Sequence, residues 1–260
     1  MIGIIGGSGL YEIEGVVVTE KKKISTPFGV PSDSYIVGKF AGRNIIFLAR
    51  HGLKHAIPPH KINYRANLWG LKQLGVRRVI SVGAAGGISP GMRPGTIVVL
   101  DQIIDLTAGR DSTYYEGDEE VIHVDFTGPY CPELRKSVIA AGKKSDIKLL
   151  KKGTYICTNG PRLETKAEIR FFSGIGADVV GMTAMPEASL AREAEMCYAG
   201  IAVVTNYAAG MTRKRLTARE VVEVMHKTGK RISALLKETI NLIPSGRRCA
   251  CRETLREAKI

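Results

Sequence analysis

Several short stretches of this sequence carry groups suited to holding an anion beside a polar ligand. Gly6-Gly7-Ser8-Gly9 directly follows the apolar run at residues 2–5. A turn of that kind leaves backbone N–H groups free to meet an anion, with a hydroxyl beside them. Arg50-His51 closes a second apolar run, residues 44–49. Ligands of open α/β sheets bind at the C-terminal ends of strands, and the planar fork of an arginine suits phosphate there. Gly83-Ala84-Ala85-Gly86-Gly87 follows the run at 78–82 and reads as a small-residue turn that admits a ligand close to the backbone. Gly181-Met182-Thr183 ends the run at 178–181 and opens a helix, so the Thr183 hydroxyl is either an anion ligand or a plain N-cap. Thr205-Asn206-Tyr207-Ala208 ends a further run and offers an amide that both donates and accepts.

None of these stretches supplies a carboxylate nucleophile or a Ser/His/Asp order, so the set points to bound phosphate rather than acyl transfer. The glycines at 3, 6, 7 and 9 do not fit the dinucleotide fingerprint, and no acidic residue ends a second strand at the required distance. His51 and His55 would share a helix face, but Pro58-Pro59 argues for a loop and against a metal pair.

The elements that must position these groups are short β-branched strands alternating with helices. Strands are predicted at 2–5, 44–49, 78–82, 96–100, 154–157, 178–181 and 201–205. Helical spacing appears at 64–74, 132–141, 164–172 and 186–196. The clearest helix opens on Thr217-Ala218-Arg219-Glu220, a capping-box pattern. Val221, Met225, Thr228, Ile232, Leu235 and Leu236 then share one face, and Pro244 and Gly246 stop it. This alternation predicts a single α/β domain over residues 1–260, with a mostly parallel or mixed central sheet flanked by helices. The segment 108–129 is polar and long for a plain connection, as functional loops are. A charged tail occupies residues 244–260 and reads as a short final helix or a docked end.

Composition excludes broad alternatives. The 260 residues are 44% hydrophobic and 24% charged, ordinary for a globular chain and unlike a disordered or collagen-like one. No apolar run reaches the roughly 18 residues of a membrane span, and the first residues lack a basic signal-peptide n-region, so the expected compartment is the cytoplasm. Lys plus Arg total 38 against 25 Asp plus Glu, a net +13. That balance fits nucleic acid, an anionic surface or small anionic substrates. The basic runs Lys21-Lys22-Lys23, Lys151-Lys152 and Arg213-Lys214-Arg215 lack interleaved aromatics, which disfavours a nucleic-acid site. The 5 cysteines include no CxxC pair. Cys157 reads as a free thiol, whereas Cys249-Ala250-Cys251 reads either as a redox or strained-disulfide pair or as two free thiols in a tail.

Taken in order, GGSGLY, ARHG with NYRAN, GAAGGI, NGPRLETKAEIR, GADVVGMTAMPEASLARE and TNYAAG resemble the methylthioadenosine phosphorylase branch of the trimeric purine nucleoside phosphorylases, over about residues 2–240. The resemblance implies phosphorolysis of a nucleoside to free base and ribose 1-phosphate. It implies no metal and no organic cofactor, with inorganic phosphate as co-substrate. It implies a phosphate site of Ser8, Arg50, His51, Gly83, Ala84 and Thr183, and Met182 packed on the ribose. The base positions depart from the methylthioadenosine enzymes. Thr205-Asn206-Tyr207-Ala208 stands where that group carries a pattern with two aspartates, and Glu164-Thr165 stands where it carries small serines. Both features resemble the phosphorylases of inosine and guanosine. Asn206 can donate to O6 and meet N7, and Glu164 can accept from N1–H, whereas a carboxylate facing adenine N1 would be repulsive. The expected catalytic residues are Asn206, Glu164 and His51, with Tyr207, Ala208 and Thr165 completing the base site. At the 5′ end, Ala218 aligns with a histidine of the mammalian inosine enzymes, and its small apolar side chain tolerates a 5′-methylthio group. The main expectation is therefore a 6-oxopurine nucleoside phosphorylase, with the methylthioinosine and methylthioadenosine enzymes as the alternative. His123 matches the residue that a neighbouring subunit lends in this family, so a homotrimer or a dimer of trimers is implied. The C-terminal cysteine pair resembles that of some thermophile members, with Cys131 and Cys197 as a second candidate bridge.

Overall fold

The first apolar run becomes the centre of the sheet. In the computed structural model, which describes residues 1–10, 13–117, 120–213 and 216–259, the strands are β1 (Ile2–Gly6), β2 (Val17–Lys22), β3 (Tyr35–Phe40), β4 (Arg43–Ala49), β5 (Arg78–Gly87), β6 (Ile97–Val99), β7 (Gln102–Asp105), β8 (Thr154–Cys157), β9 (Val179–Gly181) and β10 (Cys197–Tyr207). β1 is parallel to β4 on one side and to β5 on the other. β5 then serves two neighbours. Its length runs parallel to β10, and its last residues, Gly86 and Gly87, pair antiparallel with β9. β8 and β7 extend that limb in parallel, β6 flanks β10 antiparallel, and β3 and β2 close the other edge antiparallel. The sheet is mixed, as expected from the alternating pattern.

Helices cover both faces. They are α1 (Tyr64–Gln73), α2 (Pro132–Lys144), α3 (Lys166–Gly174), α4 (Ala184–Glu193) and α5 (Ala218–Leu242). Successive strand residues point to opposite faces, so β1 and β4 supply two cores at once. Ile4 and Ile45 pack with Leu134, Val138, Ile232 and Leu236 of α2 and α5. Ile5 and Ile46 pack with Leu68, Leu71 and Leu190 of α1 and α4. α3 lies over the second limb, where Ile169 and Phe172 meet Ile156 and Val180. Among the described residues no helix is long and apolar enough to cross a membrane.

The structure corrects several boundaries. Residues 83–87 are not a turn but the second half of β5, with all five in strand conformation. Small residues occur there because they floor a cavity, not because the chain reverses. α3 begins at Lys166, two residues later than predicted, because Thr165 is its N-cap in a complete capping box with Glu168. At α5 the Thr217 hydroxyl accepts from Glu220 N, so the predicted start is correct. α4 ends at Glu193, and Cys197 already begins β10. β2, β3 and β7 were not predicted. β2 has almost no buried position and β7 none, so neither shows the alternation that marks a half-buried strand. The described residues of the segment 108–129 form no helix or extended strand, and the tail docks through a 3-10 turn, Ala250–Glu253, with Cys249, Cys251 and Ala258 buried. Lys214 and Arg215 of the third basic run lie outside the described residues.

Candidate active site

The C-terminal ends of β1, β4, β5, β9 and β10 converge on one cavity of about 590 Å³. That volume lies in the range of small-molecule sites, roughly 300–1,000 Å³. Ser8, Arg50, His51, Gly83, Ala84, Met182, Thr183, Asn206, Ala208 and Glu164 all line it. The sequence-predicted residues from separate segments are thus brought together.

One end is built to hold an anion. Arg50 is 1% exposed, and its Nε and Nη2 donate to both carboxylate oxygens of Glu187 at 2.7 and 3.0 Å. Nη2 also donates to Ser81 Oγ at 2.6 Å, and Ser81 and Tyr198 hydroxyls both donate to Glu187 Oε1 at 2.7 Å. Burial alone would lower the arginine pKa, but the adjacent carboxylate more than offsets this and holds the guanidinium charged. The bidentate pair fixes the planar fork and leaves Nη1 at the cavity end. A Cβ on Gly7 would meet Nη1 at 2.7 Å, so only glycine fits there, and a Cβ on Gly83 would lie 3.7 Å from Nη1 and 3.9 Å from Thr183 Oγ1. Gly7, Arg50, Gly83 and Thr183 therefore surround one point. Thr183 precedes α4 without capping it, so its hydroxyl is not committed to the helix.

His51 borders the same end. Its Nδ1 lies 2.8 Å from Ile57 O, and a carbonyl can only accept, so Nδ1 carries the proton and Nε2 the lone pair when the ring is neutral. Burial and the Arg50 charge push its pKa down to about 4, so the ring is neutral at pH 7. His51 and His55 rings pack 4.7 Å apart within the cavity wall.

The other end reads hydrogen bonds. The register of β10 on β5 shifts between Val204 and Asn206, a bulge that brings Asn206 opposite Gly86. The buried Thr205 hydroxyl donates to Asn206 Oδ1 at 2.9 Å, and Asn206 Nδ2 donates to Tyr207 O at 2.9 Å. One N–H of the amide and one lone pair of its oxygen are left for a ligand. A Cβ on Gly86 would meet Nδ2 at 3.4 Å, so the amide lies on the cavity floor. Glu164 faces the same cavity, and its Oε1 accepts from Thr158 Oγ1 at 2.9 Å. Burial raises its pKa above the ordinary carboxylate value, although hydrogen bonds oppose the rise. Gly83 and Gly86 are three residues apart on β5, so the two ends are separated by roughly 10 Å.

Four expected site residues do not reach this cavity within the chain. Thr165 is exposed, and its hydroxyl is used on Glu168 N as the cap of α3. Tyr207 contributes its carbonyl to Asn206 but does not line the cavity. Ala218 is the exposed first residue of α5, and Leu216 and Val221 on either side line the cavity instead. His123 is exposed in a second hollow with Asp125, Arg192 and Arg256. Sequence reasoning missed Glu187, Ser81, Tyr198, Thr158 and Thr205. Glu187 was discoverable, because an arginine at a buried strand end needs a carboxylate and the motif at 181–187 supplies one.

The cysteines are a separate feature. All five are buried free thiols, so neither Cys249–Cys251 nor Cys131–Cys197 is bridged in this structure. The four sulfurs nevertheless lie within 4.8 Å of one another, with Cys197 and Cys249 at 3.4 Å. They are positioned for pairwise cross-linking or for a soft metal ion.

Comparison with known proteins agrees with this geometry. Residues 1–241 match the phosphorylase superfamily. The chain is 51% identical to the 6-oxopurine nucleoside phosphorylase of Pyrococcus furiosus, over 99% of this chain and 98% of that protein. It is 50% identical to a probable S-methyl-5′-thioinosine phosphorylase of Thermodesulfovibrio yellowstonii, over 99% and 96% of the two chains. Among solved structures, the methylthioadenosine phosphorylase of Schistosoma mansoni with adenine superposes with a TM-score of 0.95, at 31% identity over 99% of this chain and 98% of that one. With an anion pocket and a hydrogen-bonding pocket built from one sheet, the chain belongs to the phosphorylase superfamily.

Proposed function

We propose that the protein is a 6-oxopurine nucleoside phosphorylase that converts inosine or guanosine and phosphate to free base and ribose 1-phosphate. The observation that carries this reading is the pairing of Glu164, held by Thr158, with Asn206, held by Thr205, in the cavity that also contains the Arg50–Thr183 end. A 6-oxopurine presents N1–H as a donor and O6 as an acceptor. Glu164 as a carboxylate accepts the first and the free N–H of Asn206 donates to the second. Adenine presents an acceptor at N1, which a carboxylate repels. The relatives named 6-oxopurine nucleoside phosphorylase support the same assignment.

In the reaction, a phosphate oxygen forms a bond to C1′ as the C1′–N9 bond breaks. The electron pair passes into the purine ring, and the leaving base takes up a proton from water at a ring nitrogen. Charge on the sugar becomes positive and charge on the base negative. Arg50, Thr183 and the amides near Gly7 and Gly83 hold the phosphate in place. His51 Nε2 accepts a hydrogen bond from a monoprotonated phosphate or a sugar hydroxyl. Asn206 and Glu164 face the charge that develops on the base. The only co-substrate is inorganic phosphate, and neither a metal nor an organic cofactor takes part.

A second reading is favoured by the rest of the lining. Ile57, Pro58, Leu216 and Val221 give the cavity an apolar margin that suits a 5′-methylthio group, so S-methyl-5′-thioinosine fits the same base pocket. The working unit is a homotrimer or a dimer of trimers in the cytoplasm, with His123 near the 5′ end of a neighbour's nucleoside and Ala218 near the 5′ end of the chain's own. Light scattering after size exclusion tests the assembly. Phosphate-dependent base release from inosine, guanosine, adenosine, methylthioinosine and methylthioadenosine tests the substrate. Dominant release of hypoxanthine and guanine supports the base assignment, and dominant release of adenine overturns it. The double substitution Asn206→Asp with Glu164→Ser should move preference toward adenine nucleosides.

A further inference from the structure

The long loop after β7 carries one cation whose bonds run to several walls of the cavity. Arg110 does not line the cavity itself. Its Nη1 donates to the carbonyls of Met182 and Met185 at 2.9 and 2.5 Å, and its Nη2 to those of Asn159 and Thr158 at 2.9 and 3.3 Å. Nη1 also reaches the Tyr64 hydroxyl at 3.3 Å, and the guanidinium lies 5.4 Å over the Tyr64 ring. These acceptors belong to different segments, each of which carries a different part of the site.

Thr158 holds Glu164, the residue that reads N1–H. Met182 lines the cavity between its two ends, and Met182 and Met185 flank Thr183. The Tyr64 hydroxyl donates to the carbonyl of Pro59, which with Pro58 lines the cavity margin. The loop is secured in turn, because Asn159 donates to Ala108 O at 2.9 Å and accepts from Ala108 N at 3.3 Å. Gly160, at φ 62°, lies against the Met182 thioether, so a change at 158–160 is felt directly at Met182.

We infer that Arg110 is a positioning residue that sets the spacing of the Glu164 wall against the Met182 wall, and so controls base discrimination. This inference rests on the proposed nucleoside phosphorylase reading. Only a guanidinium can do this, because its fork presents donors on two nitrogens in one plane, whereas a lysine offers a single point. At the phosphate end Arg110 touches neither Arg50, His51, Gly7 nor Gly83, and only Thr183 lies between two carbonyls that it binds. Loss of Arg110 should therefore weigh on the nucleoside more than on phosphate.

The test compares Arg110→Lys with Arg135→Lys. Arg135 also binds backbone carbonyls, those of Leu100 and Lys151, but away from the cavity, so it controls for loss of such bonds in general. Kinetics would be read separately against nucleoside and phosphate, with hydrogen exchange followed on peptides covering 156–166 and 180–188. In Arg110→Lys the inosine-to-adenosine ratio of kcat/KM should fall about tenfold and the nucleoside KM rise, while phosphate KM stays within about threefold. Exchange should rise in both peptides together, and Arg135→Lys should show none of these changes. An unchanged ratio, equal changes in both KM values, or faster exchange in only one peptide would overturn the inference. If the wild-type enzyme itself cleaves no 6-oxopurine nucleoside, the function reading fails, and the paired exchange of the two peptides still decides the role of Arg110.

Discussion

Arg50 and Glu187 form a two-point ion pair sealed from solvent, with side-chain exposures of 1% and 0%. The carboxylate has four donors on it, two from Arg50 and one each from Ser81 and Tyr198. A charge pair in this position contributes little net stability over an apolar pair, but breaking it leaves an uncompensated buried charge. Its use is orientation: the pair turns Nη1 toward Gly7 and Gly83.

Glu187→Gln should therefore damage phosphate use and folding together. Removing one partner of a buried pair costs about 3–5 kcal/mol, so the urea midpoint should fall sharply. In the fraction that folds, phosphate KM should rise about tenfold or more while the inosine-to-adenosine ratio is kept. A variant with normal phosphate KM would contradict the orienting role.

Discrimination between bases should depend on pH. The Glu164 pKa lies above the usual carboxylate value, so its protonated fraction grows on mild acidification. A protonated Glu164 donates rather than accepts, which suits adenine N1 and not N1–H of a 6-oxopurine. The inosine-to-adenosine ratio of kcat/KM should fall as pH drops through that value and recover above it. Glu164→Gln should flatten the profile.

His51 gives a stability prediction with a definite sign. Its folded pKa of about 4 lies below the ordinary 6.5, so the unfolded chain binds the proton more readily. Its contribution is complete above pH 6.5 and is lost as pH falls toward 4. The shift corresponds to roughly 3 kcal/mol at about 1.36 kcal/mol per unit. His51→Gln should make the loss of stability between these pH values shallower, as measured by urea unfolding across the range.

The four clustered thiols should react as a group. Treatment of the folded protein with a thiol oxidant such as diamide, followed by alkylation and peptide mapping, should yield links only among Cys131, Cys197, Cys249 and Cys251. Cys157 should stay unlinked, since it is buried apart from them against Met185, and burial pushes its thiol up to about 12. Linking Cys131 to Cys197 should raise the melting temperature, because the closed loop is long.

The parts of the fold that bury one face or one stripe were legible in the sequence. β1, β4 and α5 were predicted within about a residue because their apolar spacing matches the element period. β2 and β7 were not, because neither has a fully buried residue and so neither shows a buried alternation. Arg50, Thr183 and Asn206 stood out by residue type at strand ends and Glu164 only through the family resemblance, and all four line the cavity. The site was not legible where position depends on a distant partner. Nothing local to Thr165 separates a base contact from a helix cap, and the structure makes it the cap. Nothing in the sequence around Thr158 or Thr205 announces that their hydroxyls orient Glu164 and Asn206. The glycines at 83–87 were read as a reversal because glycine marks turns more often than strand floors.

The separation of 137 positions between Arg50 and Glu187 also bears on how the chain is made. During synthesis Arg50 emerges long before its carboxylate exists. Until residue 187 arrives, the guanidinium at the end of β4 can reach neutral acceptors at Ser81 and Val82 but no carboxylate, so closing the central strands around it would bury an unpaired charge. The innermost part of the sheet is therefore completed late, and the phosphate pocket and the native core form in the same step. On the proposed function, free phosphate needs the finished pocket, and its binding would act on the folding equilibrium as well as on the reaction.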